Sequence, residues 1–307
     1  MKTSPVTSDD LAASVLAVPP LARNADWSLN IAENKKMIRH LEGGGVRTLM
    51  YGGNANFYNI GVRDYHKVLE MLEKLAGEDT WVIPSIGPDF GKAIDQIDLL
   101  RSRAFPTAMV LPLQFPSTDD GLATGIARLS QFYKKPLIVY IKSDGYLEPR
   151  TVGKLVADGI ICALKYGTVR ADPAIDPYLT ELTQHVDPKL ILSGIGETPA
   201  IIHLRDFGLH GFTSGSVCIA PRGSTRLLAL IKAGQYDEAD KIRAAYAEME
   251  ACRDTLSPIR TLHEAVTLAG IADMGPMLPM LSNIGAEHHA RVGAAAKALL
   301  AFDQTIT

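Results

Sequence analysis

The stretch Ala108-Met109-Val110-Leu111-Pro112-Leu113, then Leu122, Ile126, Leu129 and Phe132, then Pro136-Leu137-Ile138-Val139-Tyr140-Ile141-Lys142 holds one whole unit of the fold. The two flanking runs are short, apolar and rich in Val, Leu and Ile. They show no apolar/polar alternation, the pattern of parallel strands covered on both faces. The middle residues recur at helical spacing, and Lys134-Lys135-Pro136 ends that segment. A strand, a helix and a strand in this order make a right-handed crossover of a parallel sheet.

Working outward, the same unit repeats. Strand-like runs lie at residues 14–18, 46–51, 81–86, 108–113, 137–142, 160–166, 189–194 and 211–217. Amphipathic segments separate them, with Tyr65, Val68, Leu69, Leu72 and Leu75 on one helical face and Ala93, Ile94, Ile97 and Leu100 on another. Eight strands are enough to close a barrel, whereas six or fewer favour an open sheet. No GxGxxG opens the first helix, and Gly43-Gly44-Gly45 precedes a strand, as a helix stop does. The expected fold is an α/β (β/α)8 barrel over residues 1–224. After Pro221 strand signals cease, and helices are expected at 225–232, 236–255, 258–269 and 286–302. Residues 225–307 then form a C-terminal helical region packed on the barrel, and the apolar run 11–21 reads as a buried first strand.

Composition narrows the function classes. With 307 residues and 47% hydrophobic content the chain buries a large core without disulfides. A formal net charge of -3 and the lack of a Lys/Arg run speak against nucleic acid as partner. Cys162, Cys218 and Cys252 are too widely spaced for a structural zinc site. No apolar run approaches the ~18 residues of a membrane span, and the polar N-terminus lacks a secretory pattern. A cytoplasmic enzyme acting on a small molecule, with no membrane partner, is the expectation.

In such a barrel the chemistry gathers at the C-terminal ends of the strands. Lys165 closes the otherwise uncharged run Ile160-Ile161-Cys162-Ala163-Leu164. Desolvation there lowers an amine's pKa and makes it a nucleophile toward a carbonyl; alternatively its stem packs and its ammonium reaches solvent. Tyr140 ends the neighbouring strand as a proton relay or an ordinary core phenol. Lys142, two residues on, faces the same side by alternation and offers charge to a carboxylate, or is a solvated loop cation. The backbone of Gly52-Gly53-Asn54-Ala55-Asn56 can approach a ligand closely, or simply turn into the next helix. Ser214-Gly215-Ser216 ends the eighth strand, where barrels often bind phosphate. His288-His289 are adjacent on a helix and point apart, so no metal site is expected.

These residues together resemble the dihydrodipicolinate synthase and N-acetylneuraminate lyase superfamily, the class I pyruvate-dependent aldolases, from about Leu16 to Ser282. Tyr51-Gly52-Gly53-Asn54-Ala55-Asn56 stands where that family has a GTTGE-like loop. Pro136-Leu137-Ile138-Val139-Tyr140 matches its tyrosine strand, and Ala163-Leu164-Lys165-Tyr166 the strand with its imine-forming lysine. Leu192-Ser193-Gly194 and Gly208-Leu209-His210-Gly211-Phe212-Thr213-Ser214 match the last two strand ends, and Gly275-Pro276-Met277-Leu278-Pro279 a later loop. The resemblance implies a Schiff base between Lys165 and a 2-keto acid, with Tyr140 shuttling protons. It implies that the amides of Gly53 and Asn54 hold the carboxylate, that Asn56, Lys142, Gly194 and Ser214 line the substrate, and that neither metal nor other cofactor is required. A homo-oligomer, tetramer or dimer, is implied as well.

The departures from the family pattern are specific. Gly53-Asn54 replaces a Thr-Thr pair, Asn56 a glutamate, and Ile141-Lys142-Ser143 an Asn-x-Pro. Ser143-Asp144-Gly145 has no counterpart of the arginine that binds a remote carboxylate, and Leu111-Pro112-Leu113-Gln114-Phe115 lacks the relay tyrosine. A divergent lyase or hydratase-aldolase acting on another 2-keto acid is therefore expected, rather than a dihydrodipicolinate synthase. A non-catalytic 2-keto-acid-binding paralogue and an enzyme of a phosphorylated sugar using Ser214 to Ser216 are the alternatives.

Overall fold

The computed structural model describes residues 1–306. The chain enters through a short helix, α1 (Ser8–Ala12), where a strand was expected to begin. Thr7 caps it by accepting from the Asp10 amide while the Asp10 carboxylate accepts from the Thr7 amide, a reciprocal pairing that favours helix. The apolar run thus divides. Leu11 and Ala12 close the floor of the barrel, and only Leu16–Ala17 pair as strand β1.

The remaining strands are β2 (Thr48–Tyr51), β3 (Trp81–Ile86), β4 (Met109–Val110), β5 (Leu137–Ile141), β6 (Ile161–Tyr166), β7 (Ile191–Ser193) and β8 (Gly211–Ser214). All pair in parallel with their sequence neighbours, and β8 returns to β1 through Leu16 opposite Thr213. The sheet is a closed eight-stranded barrel, as the repeat of apolar runs predicts. Its helical ring is α2 (Ile31–Gly43), α3 (Val62–Leu75), α4 (Phe90–Leu100), α5 (Asp119–Tyr133), α6 (Pro149–Ala157), α7 (Pro177–His185), α8 (Ala200–Asp206) and α9 (Pro221–Lys232). Local sequence sets where these begin. Asn30, Asp89, Thr118 and Asp176 cap orphan amides with their side chains, and proline opens α6, α7 and α9.

Helix α9 packs between α8 and α2 and completes the ring, so the boundary expected at 224 falls inside a helix. The appended region begins after Lys232, with α10 (Tyr236–Ala244), α11 (Ala247–Leu256), α12 (Pro258–Leu268) and α13 (His289–Thr305). The single helix expected over 236–255 breaks at Ala245 and Tyr246, which turns α11 so that Met249, Glu250, Cys252 and Arg253 are buried. Helix α12 packs against the short turn Gly53–Ala55 after β2, bringing the appendage to the barrel mouth. Among the described residues no helix is long and apolar enough to cross a membrane.

Candidate active site

Strand register decides which side chains meet inside the mouth. Tyr140 pairs with Lys165 across β5 and β6, so both point to the same face of the sheet. Tyr166, one residue on, points outward, donating from its hydroxyl to Asp176 at 2.6 Å and stacking on Tyr178. Lys165 therefore points inward. Its Nζ lies 4.6 Å from the Tyr140 ring centroid, and the residue is 5% exposed.

Among the described residues Lys165 has no ion-pair partner; its charged neighbours are cations. Burial first, then the fields of Arg253 and Lys142, pull its amine down from 10.5 to about 7. An ordinary lysine at pH 7 is neutral in fewer than about one molecule in a thousand. Here the unprotonated nucleophile is an abundant form. Burial also pushes the Tyr140 phenol up, with the nearby Tyr58 adding to the effect, so it remains a protonated donor at neutral pH. Tyr58 and Tyr146 are raised by burial as well, and Tyr58 acts on both the Tyr140 and the Tyr146 phenol. Lys92 Nζ donates to the Phe57 and Tyr58 carbonyls at 3.2 and 2.8 Å and fixes the segment carrying Tyr58.

The other expected residues divide by role. Gly53 and Asn54 open a one-turn helix at the end of β2, where the first amides have no intrahelical partner. Asn54 Nδ2 donates to the Val18 carbonyl at 2.7 Å, which ties the loop to β1. Asn56 turns its side chain onto neighbouring segments of the chain. It adopts φ 55°, and its amide is spent on the Leu278 carbonyl and on Asn59, as a turn-forming asparagine does. Gly194 packs against the lysine strand: a methyl group there would lie 2.5 Å from the Tyr166 carbonyl oxygen and 3.0 Å from Lys165 Cγ. Lys142 is exposed and reaches Lys165 only through its field.

Ser214 corrects the expectation most clearly. Its hydroxyl donates to Glu197 at 2.9 Å and accepts from the Val217 amide, so it is committed to internal partners at the end of β8. Ser216 likewise donates to Glu250. Both hydroxyls are thus engaged by buried carboxyl groups, Glu197 and the Arg253-paired Glu250, where the phosphorylated-sugar alternative would have them meet a phosphate. His289 lies 3.6 Å from Glu264, away from the strand ends. A cleft of about 780 Å³ between residues 23–31 and α3 also lies outside the mouth.

The sequence reading missed Glu197, Glu250 and Arg253. Glu197 is buried and accepts from Ser214 and Ser224, and Ser224 in turn meets the Tyr246 hydroxyl. Arg253 Nη1 donates to both Glu250 oxygens at 2.8 and 3.0 Å, and its Nε meets the Pro258 carbonyl at 3.4 Å. The missed signal was periodic: Tyr246, Glu250 and Arg253 fall at i, i+4 and i+7 on the buried side of an otherwise polar helix.

Comparison with known proteins bears on the fold and the family. The dihydrodipicolinate synthetase family profile matches residues 13–299. Among curated proteins no sequence match is found. Dihydrodipicolinate synthase from Bacillus clausii superposes with a TM-score of 0.81 at 18% identity, covering 94% of this chain and 98% of that one. The enzyme from Oceanobacillus iheyensis gives 0.82 at 17%, covering 95% and 97%. N-acetylneuraminate lyase from Fusobacterium nucleatum gives 0.80 at 16%, covering 94% and 99%. At these identities the superpositions establish the barrel, and the profile match over nearly the whole length establishes descent: the chain belongs to the dihydrodipicolinate synthetase family.

Proposed function

We propose that the protein is a Schiff-base-forming lyase of a 2-keto acid, with Lys165 as nucleophile and Tyr140 as proton relay. The observation that carries this is the buried Lys165 amine, free of any carboxylate partner and set against the Tyr140 ring. In the neutral form Nζ attacks the keto carbon, forming a C–N bond as the carbonyl π electrons move to oxygen. Tyr140 donates one proton to that oxygen, takes up the proton that the attacking nitrogen sheds and passes it on to the same oxygen, which leaves as water as the iminium forms. The cationic nitrogen then accepts the electron pair released when a C–H or C–C bond at the adjacent carbon breaks, which makes aldol cleavage, condensation or dehydration accessible. The altered loop favours a substrate other than that of dihydrodipicolinate synthase. Gly53 and Asn54 bring no hydroxyl, and Tyr58, near enough to raise the Tyr140 phenol, offers Tyr140 another proton partner.

Incubation with pyruvate or a larger 2-keto acid, followed by borohydride, is expected to leave a stable mass increase on the chain. Lys165→Ala is expected to abolish it with an unchanged circular dichroism spectrum. An unmodified wild-type chain with every 2-keto acid contradicts the reading and favours the non-catalytic paralogue. A homo-oligomer, tetramer or dimer, is part of the same proposal. The exposed Phe90 and Phe115 beside Leu113 and Pro116 at the rim give an apolar face for a second copy, and sedimentation as a monomer at all concentrations would contradict it.

A further inference from the structure

We propose that Arg253, carried into the barrel mouth by α11, receives the carboxylate of the 2-keto acid in place of the hydroxyls that the Gly53-Asn54 loop lacks. The proposal rests on the Schiff-base reading for the identity of the ligand. Its geometric support is independent of that reading.

The guanidinium is held on two of its three nitrogens. Nε meets the Pro258 carbonyl, and Nη1 meets Glu250 and, at 3.5 Å, Ser216. Nη2 has no partner among the described residues. It lies where β8 ends: a methyl group placed on Gly215 would be 2.7 Å from Nη2 and 3.0 Å from Asn54 Nδ2. Two nitrogen donors therefore pack side by side on Gly215, and only a residue without a Cβ lets them approach the backbone and each other there. Asn54 Nδ2 spends one hydrogen on Val18 and retains the other. Of the two cations that depress the Lys165 amine, Arg253 has the larger effect.

A purely structural Glu250–Arg253 pair does not account for this placement. Burying such a pair is costly, and a guanidinium whose field reaches the buried Lys165 adds repulsion. A carboxylate seated on Nη2 and Asn54 relieves both effects. It supplies the missing acceptor, and its negative charge offsets the iminium that forms on Lys165. The site therefore selects a keto acid over the corresponding ester or simple ketone.

Two arms test this. In the first, borohydride trapping is titrated with pyruvate and with methyl pyruvate, whose carboxylate is masked. Because Arg253→Gln alone strands Glu250, the paired variant Glu250→Gln/Arg253→Gln is used beside it, with thermal melting to confirm folding. Half-saturation by pyruvate is expected to rise about 10- to 100-fold, the effect of one charge-assisted hydrogen bond, while methyl pyruvate changes less than about twofold. Arg253→Lys, which keeps the charge and loses the fork, is expected to fall between. Equal losses for both compounds, or no loss for either, overturn the proposal. The second arm measures pyruvate binding calorimetrically in Lys165→Met protein, which cannot form an imine. A loss of similar size on adding the paired variant supports Arg253 even if trapping fails in wild type, an outcome that defeats the Schiff-base reading alone. Unchanged affinity there counts against Arg253.

Discussion

At the scale of single residues the account turns on a lysine that is neutral near physiological pH. The direction follows from the surroundings: burial penalises the ammonium, and Arg253 and Lys142 repel it. The rate of imine trapping is therefore expected to rise with pH through a midpoint near 7 and level off above it, because only the free amine attacks. Lys142→Met removes one of the two cations and is expected to move that midpoint upward. A midpoint near the ordinary lysine value in wild type would contradict the burial argument. The same depression makes unfolded chains bind more protons than folded ones between those values, so this group's contribution to stability grows as pH rises across the interval. Lys165 and Tyr140 were legible in sequence because each is a polar residue ending an apolar strand. Arg253 was not, because its partners Ser216, Glu250 and Gly215 come from segments that only the barrel's closure brings together.

At the scale of elements, strands were easier to read than helices. A parallel strand buried on both faces announces itself as a short apolar run, and β3 and β5 match their expected positions to within a residue. Helix α11 carries charge on its buried side, so periodicity suggested a longer, simpler helix than the chain forms. That buried charge has a measurable consequence. Burial and the neighbouring Glu250 carboxylate raise the Glu197 carboxyl above its usual value, so the folded chain retains a proton that the unfolded chain releases. The resulting stability is fully present below the unfolded carboxylate pKa and disappears as pH rises through the folded one. Glu197→Gln keeps a neutral acceptor for Ser214 and Ser224. Its stability relative to wild type, followed by thermal melting at each pH, is expected to increase between about pH 5 and about pH 8, by up to the few kcal/mol that such shifts represent. A pH-independent difference would mean that Glu197 is ionised throughout.

At the scale of the molecule, barrel and appendage share one apolar core, in which Leu227, Ile231, Leu262, Val266, Val292 and Leu299 join the strand residues. The appendage therefore bears on the chemistry as well as the packing: α12 backs the Gly53–Ala55 turn, and α11 delivers Arg253. The alternating pattern made the barrel legible, and composition alone could not say that helices beyond residue 232 reach the mouth. The most direct measurement of the central claim is a crystal of the whole protein soaked in pyruvate. The account predicts continuous density from Lys165 Nζ to the former keto carbon, with the carboxylate between Arg253 and Asn54. Pyruvate lying unbonded elsewhere in the barrel, with Lys165 unmodified at a pH above its midpoint, would contradict it.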